Sequence, residues 1–323
     1  MAKVLAMTND GKLTYCSASP ENRGKGRCNH IGHQNENESE SEFIKRAIKD
    51  FANQSDNKKA IFNLSRTEKL DMVRNHANLD ILIKDKDFLV RIDVARQGYG
   101  LDKLIKDRNW RVRETVVEQG YGLDKLIDDK NSIIRVAVAK QGYGLNRLVN
   151  DEDWHVRRAV ARQNYGLDKL VNDGDWSVRK AVAEQGYGLD KLVNDKEWSV
   201  RTEVAKHGYG LEKLADDESP FVRKAVAEQG YGLDKLIDDK DFDVRAEVAR
   251  QGYGLDKLVN DESEDVRTAV AEQGYGLEKL INDKSPFVRA AVAEQGYGLE
   301  KLVSDENDEV REIAMELLDK REG

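Results

Sequence analysis

The chain has 323 residues, 35% of them charged, and a net charge of −8 at pH 7, with both signs interleaved along most of its length. Such a surface has no general affinity for nucleic acid or anionic membrane. No apolar run approaches the ~18 residues of a membrane span and no secretory leader pattern opens the chain, so a soluble, cytoplasmic protein is expected.

Residues 1–34 read as a small head. The segment V-L-A-M-T-N-D-G-K-L-T-Y-C suggests a β-hairpin turned at Asn9, Asp10 and Gly11, with Cys16 ending its second strand. The loop that follows supplies Cys28, His30 and His33. Two cysteines make no disulfide framework, but two thiolates and two imidazoles near a hairpin suit a tetrahedral zinc ion, and a head this short gains from a metal because it buries little core. The C-x11-C-x-H-x2-H spacing is not that of a standard zinc finger. A reduced thiol pair beside surface histidines is the plain alternative. A Cys–His catalytic pair is the sharper one, although no orienting third residue or oxyanion loop accompanies it.

Beside these residues, Arg23, Lys25 and Arg27 are the expected phosphate contacts of a nucleic-acid-binding head. Residues 1–66 carry a net +3, leaving −11 for the rest, so an acidic partner favours the head and a basic one the remainder. Residues 35–42, N-E-N-E-S-E-S-E, form a polar acidic linker. The stretch from Phe43, F-I-K-R-A-I-K-D-F, opens an N-terminal capping helix region over 43–64.

From there one 22-residue unit, close to V-R-x-A-V-A-E-Q-G-Y-G-L-D-K-L-V-N-D-x-D-x-x, recurs without insertion or deletion. Its arginine falls at Arg91, Arg113, Arg135, Arg157, Arg179, Arg201, Arg223, Arg245, Arg267, Arg289 and Arg311. A fixed period of this length marks a solenoid, in which each unit buries its apolar side against its neighbours. Four residues before each arginine stands a capping residue such as Asp87, Asn109, Asn131 or Asp175, and Pro220 and Pro286 suit the first helical position. The helix runs through V-R-x-A-V-A-E-Q and ends at a glycine, or once at Asn164, suited to a left-handed C′ residue. The L-D-K-L-[IV] segment has room for only a turn or two of α or 3-10 helix, with its leucines turned inward.

Counting back one period puts Lys69 in the arginine position and Ser65 in the cap position, so 65–86 reads as a degenerate first repeat. The array covers 65–310, and R-E-I-A-M-E-L-L-D-K-R-E-G over 311–323 is a polar-faced C-terminal capping helix. The unit D-x-D-x-x-V-R-x-A-V-A followed by L-x-x-L resembles the leucine-rich repeat variant, a relative of the HEAT-type repeats. That resemblance implies α and 3-10 helices alternating in a right-handed superhelix and no single activity. The expected fold is thus all-α, a right-handed α-solenoid of about twelve repeats with a small β-hairpin head.

Within the array Trp110, Trp154, Trp176 and Trp198 share the first helical position with Phe88 and Phe242. Stacked helices would draw these rings into a stripe, a candidate anchor for a protein or peptide partner. The plainer reading has each ring stapling the preceding loop to its own helix. Ten tyrosines in G-Y-G or N-Y-G turns read as spacers between the two helices of a repeat. An aspartate six residues before each arginine makes internal bracing a better account of the arginine row than a phosphate track. The array holds no Ser/His/Asp set or phosphate loop, and its histidines, His76, His155 and His207, are scattered. The expected function is a non-enzymatic interaction scaffold, on which the aromatic stripe and the acidic surface face the same side. Nucleic-acid binding through the head, and a Cys/His enzyme there, are the alternatives.

Overall fold

A computed structural model describes residues 61–322, the strand segments 4–7, 13–16 and 29–33, and the single positions 39, 42 and 46. The chain divides into two compact units, Met1–Leu126 and Ile127–Gly323.

The first unit holds three short strands, β1 (Val4–Met7), β2 (Leu13–Cys16) and β3 (Asn29–His33), in the antiparallel order β2-β1-β3. Val4 stands opposite both Cys16 and His33, and Ala6 opposite both Thr14 and His30, with an irregularity between Leu5 and Ala6. The turn expected at Asn9, Asp10 and Gly11 lies outside the described residues. So does the linker apart from Ser39 and Glu42, and the capping region up to residue 60 apart from Arg46.

Three pairs of a long and a short helix follow: Arg66–Arg74 with Leu79–Leu82, Phe88–Arg96 with Leu101–Leu104, and Trp110–Glu118 with Leu123–Leu126. The first helix starts in a capping box, in which the Ser65 and Glu68 side chains each accept from the other's backbone N–H. Its Lys69 takes the arginine's place, 2.9 Å from a fully buried Asp85 carboxylate. His76 and Asn78 occupy the two glycine positions of that repeat, both at positive φ.

The second unit repeats the same pair from Ser132–Lys140 with Leu145–Leu148 to Pro286–Glu294 with Leu299–Leu302, and closes with Asp308–Glu322. Within this unit each long helix packs on the next long helix, and each short one lies against the long helices on either side of it in sequence. The result is an all-α repeat solenoid.

The core recurs from one consensus repeat to the next. Val178, Val182, Ala183 and Leu192 are 2% exposed or less, as are their equivalents Val222, Val226, Ala227 and Leu236. Each buried Val or Leu contributes about 1.5–3 kcal/mol, and because the faces are supplied by adjacent repeats, no repeat is stable alone. Asp or Asn caps act as expected: the carboxylate of Asp175 accepts the Ser177 N–H at 2.8 Å. Ser219, Ser263, Ser285 and Glu197, expected to do the same, make no side-chain cap bond.

The G-Y-G turn is a Schellman motif followed directly by a second helix start. In one turn the Gly186 N–H donates to the Ala183 carbonyl at 2.8 Å and the Tyr187 N–H to the Val182 carbonyl at 3.4 Å. Both glycines have positive φ, for unequal reasons. A Cβ on Gly142 (φ +71°) meets nothing within 4 Å, whereas one on Gly144 (φ +62°) falls 2.1 Å from Ile127 Cδ1. Asn164 adopts φ 57° at the first position, which shows that this slot accepts a side chain. Gly142→Ala should therefore cost about 1–2 kcal/mol of left-handed strain, and Gly144→Ala about 1–3 kcal/mol more for displacing Ile127. Guanidinium unfolding of the full chain measures both, and equal costs would mean that Ile127 moves aside freely.

Candidate functional site

One arginine recurs in each repeat, from Arg91 to Arg311. Each guanidinium is consumed internally, and its carboxylate partner differs from the one expected. Arg179 donates from Nε and Nη2 to the two carboxylate oxygens of Asp195, at 2.5 and 2.8 Å, and from Nη1 to the Asp173 carbonyl at 2.8 Å. The aspartate six residues earlier thus contributes its main chain, while the carboxylate comes from the next repeat, sixteen residues on.

The same bidentate pair joins Arg223 to Asp239 and Arg267 to Asp283, and in the first unit Arg91 to Asp107. These side chains are 6–9% exposed. Burial pushes the carboxyls of Asp107, Asp195, Asp239 and Asp283 up, but hydrogen bonds from the arginine and from a backbone N–H outweigh it and hold them below the usual range. Such pairs brace repeat against repeat and leave no row of free cations for phosphate.

The aromatic stripe lies on the long-helix face. In the first unit Phe88 and Trp110 are half-buried, and the Arg111 guanidinium lies 6.0 and 5.3 Å from their ring centroids. In the second unit Trp154 is half-buried under Arg158, 4.8 Å away, while Trp176, Trp198 and Phe242 are 42–46% exposed. A pure staple would bury its ring, so the last three meet solvent with surface that stapling does not need.

Sequence reasoning missed three further members, Ile133, Phe221 and Phe287, at 42%, 57% and 61% exposure. They sit in the second helical position, behind Ser132, Pro220 and Pro286. The signal was present: the apolar group moves one place where the first position is Ser or Pro. Phe221 stacks on Trp198 with ring centroids 4.7 Å apart and planes 28° from parallel. Around that pair opens a cleft of about 290 Å³, whose walls include Lys180, Thr202, Glu203, Lys206 and Lys224.

The tyrosines are more exposed than spacers need be. Tyr99, Tyr143, Tyr187 and Tyr253 are 39–42% accessible, as are the others of the series. His155 stacks on Trp154 at 3.5 Å and shares a 2.9 Å hydrogen bond with Asp153. That aspartate is held at about 2, chiefly by a hydrogen bond from Ser132.

Of the expected zinc ligands, Cys16, His30 and His33 lie in strands, where only their backbone is described, and Cys28 lies outside the described residues, as do Arg23, Lys25 and Arg27. Among the described residues no group of three or more His, Cys, Asp or Glu is placed to hold a metal ion. Among them, too, no helix is long and apolar enough to cross a membrane.

No protein-family description matches the chain, and no curated protein does. Among solved structures it is similar to computationally designed armadillo repeat proteins for modular peptide recognition, at 18% identity over 77% of this chain and 98% of that one, with a TM-score of 0.12. A designed armadillo repeat protein in complex with the peptide (KR)4 is similar at 19% identity, over 78% and 98%, with a TM-score of 0.11. The assignment to the α-solenoids rests on the repeat geometry itself.

Proposed function

We propose that the array is a non-enzymatic scaffold that binds a peptide or protein partner along its long-helix face. One observation carries this reading: large apolar rings recur at the start of successive helices and stay exposed, while the repeated arginines and their aspartates are spent on bracing one repeat against the next. Exposed aromatic anchors of this kind are where interfaces concentrate their energy. Placing the repeats among the leucine-rich repeat variants, and the protein in the cytoplasm, belongs to the same proposal.

The test is a peptide-display selection on the full chain and on a Trp176→Ser/Trp198→Ser/Phe242→Ser variant. An enriched peptide family whose affinity falls at least tenfold on the variant is the expected result. Enrichment indifferent to these substitutions, or none, overturns the proposal. Since all three rings stand at exposed positions, the variant should keep its helical circular dichroism.

For the head we propose a zinc ion held by Cys16, Cys28, His30 and His33. The register places Cys16 and His33 opposite Val4, on the two strands that flank it. Metal content of the purified chain should be one zinc, lost on Cys16→Ser and on Cys28→Ser. A metal-free protein with two reactive thiols would rule it out.

A further inference from the structure

The cleft at Trp198 and Phe221 holds a polar atom with nothing to bond. Ser199 is 9% exposed, lines the cleft, and its hydroxyl has no hydrogen-bond partner. The cause is local. One repeat earlier Ser177 donates its hydroxyl to the N-cap Asp175 at 2.5 Å, but before Ser199 the N-cap is Glu197, which makes no side-chain cap bond. A buried hydroxyl left unpaired costs stability, and a ligand group reaching it recovers that cost.

Charge along the same face is divided. The first, second, fifth, sixth and ninth helical positions, those that line the cleft, carry Lys140, Arg158, Arg162, Lys180, Lys206 and Lys224 in the helices from Ser132 to Glu228, against Glu184, Glu203 and Glu228. Glu203 is already shared by Lys180 and Lys206, at 3.4 and 3.3 Å. In the helices from Phe242 to Glu294 the same positions carry Asp243, Glu247, Glu264, Asp265, Glu272 and Glu294 against Arg250. The three tryptophans of this unit therefore sit among basic residues, not on the acidic side where they were expected.

We infer that this face is a groove for a peptide of divided charge. The cleft of Trp198, Ser199 and Phe221 takes an apolar or aromatic side chain flanked by carboxylates, and basic residues farther along the same peptide lie over the helices from Phe242 to Glu294. The inference rests on the peptide-binding reading above and adds the partner's chemistry to it. With helices about 8–10 Å apart and an extended chain rising about 3.3 Å per residue, the basic block falls about six to nine residues from the anchor.

Fluorescence anisotropy of the full chain tests this with three labelled synthetic peptides. One has an acidic block around a single Phe, a Gly-Ser spacer and a basic block; the second has the same composition with charges scrambled; the third is the acidic block alone. The expected result is that the first binds at least tenfold tighter than either other, and loses at least tenfold on Phe221→Ala and on Lys224→Glu. Ser199→Ala should weaken it several-fold with no loss of thermal stability. Equal binding of the ordered and scrambled peptides, or indifference to Phe221→Ala and Lys224→Glu, overturns the inference. If display-selected ligands still depend on Trp176, Trp198 and Phe242, the scaffold reading survives that failure. An oligonucleotide that binds the cleft more tightly than the ordered peptide, and loses that binding on Lys224→Glu, also overturns it.

Discussion

Asp195→Ala is expected to destabilise the array by about 3–5 kcal/mol, the cost of stranding a buried ion-pair partner. Arg179 would keep its Nη1 bond to the Asp173 carbonyl but lose both bonds to carboxylate in a site that is 9% exposed. The Glu197 N–H, which donates to the same carboxylate at 2.9 Å, would be orphaned as well. Asp195→Asn keeps an acceptor for that N–H, so it should cost less. Adding Arg179→Met to Asp195→Asn should recover part of the loss, because removing both charges is cheaper than removing one.

Guanidinium unfolding gives the energies, and hydrogen exchange gives the location. In a repeat array stability is a sum of units and nearest-neighbour interfaces, so faster exchange should concentrate in helices Trp176–Glu184 and Trp198–Lys206. A cost below about 1 kcal/mol for Asp195→Ala, the range of exposed pairs, would show that the pair braces nothing.

The second large effect is acid unfolding. In the second unit the carboxyls of Asp173, Asp195, Asp239, Asp261 and Asp283 are pushed up by burial and pulled further down by an arginine and a backbone N–H. For Asp305 the Arg289 hydrogen bond is the largest influence, and the net direction is again down.

A carboxyl depressed in the folded chain stabilises it above the unfolded pKa, about 3.9 for Asp. That contribution is lost as pH falls through the folded value. Helical circular dichroism should therefore hold from neutrality to about pH 4.5 and collapse steeply below about pH 4, because several pairs titrate together. High salt should shift this midpoint little, since buried pairs are weakly screened. A gradual loss beginning near pH 6 would implicate histidine instead.

Much of this was legible in the residues. Caps, the Schellman glycines and the inward leucines obey rules that reach no further than a turn or two along the chain, so the long and short helices follow from the repeat unit. The degenerate first repeat was legible too, because Ser65 and Glu68 form the same kind of start that Asp and Asn make later. Glu197 illustrates the limit: it stands in the cap position, but its side chain makes no cap bond, and neither do Ser219, Ser263 and Ser285.

By itself the sequence determined the period, the helix starts and stops, and the set of apolar side chains that must be buried, since each depends on local backbone preference and hydrophobic pattern. Only the tertiary structure decided which aspartate each arginine holds. An aspartate six residues earlier and one sixteen residues later are equally available on paper, and the stacking of one repeat on the next brings the second to the guanidinium. Stacking likewise left Trp198 and Phe221 exposed against each other and buried Ser199, whose missing partner is the local consequence of Glu197 at the cap. Exposure and pairing belong to the interface between repeats, which no single repeat's residues specify.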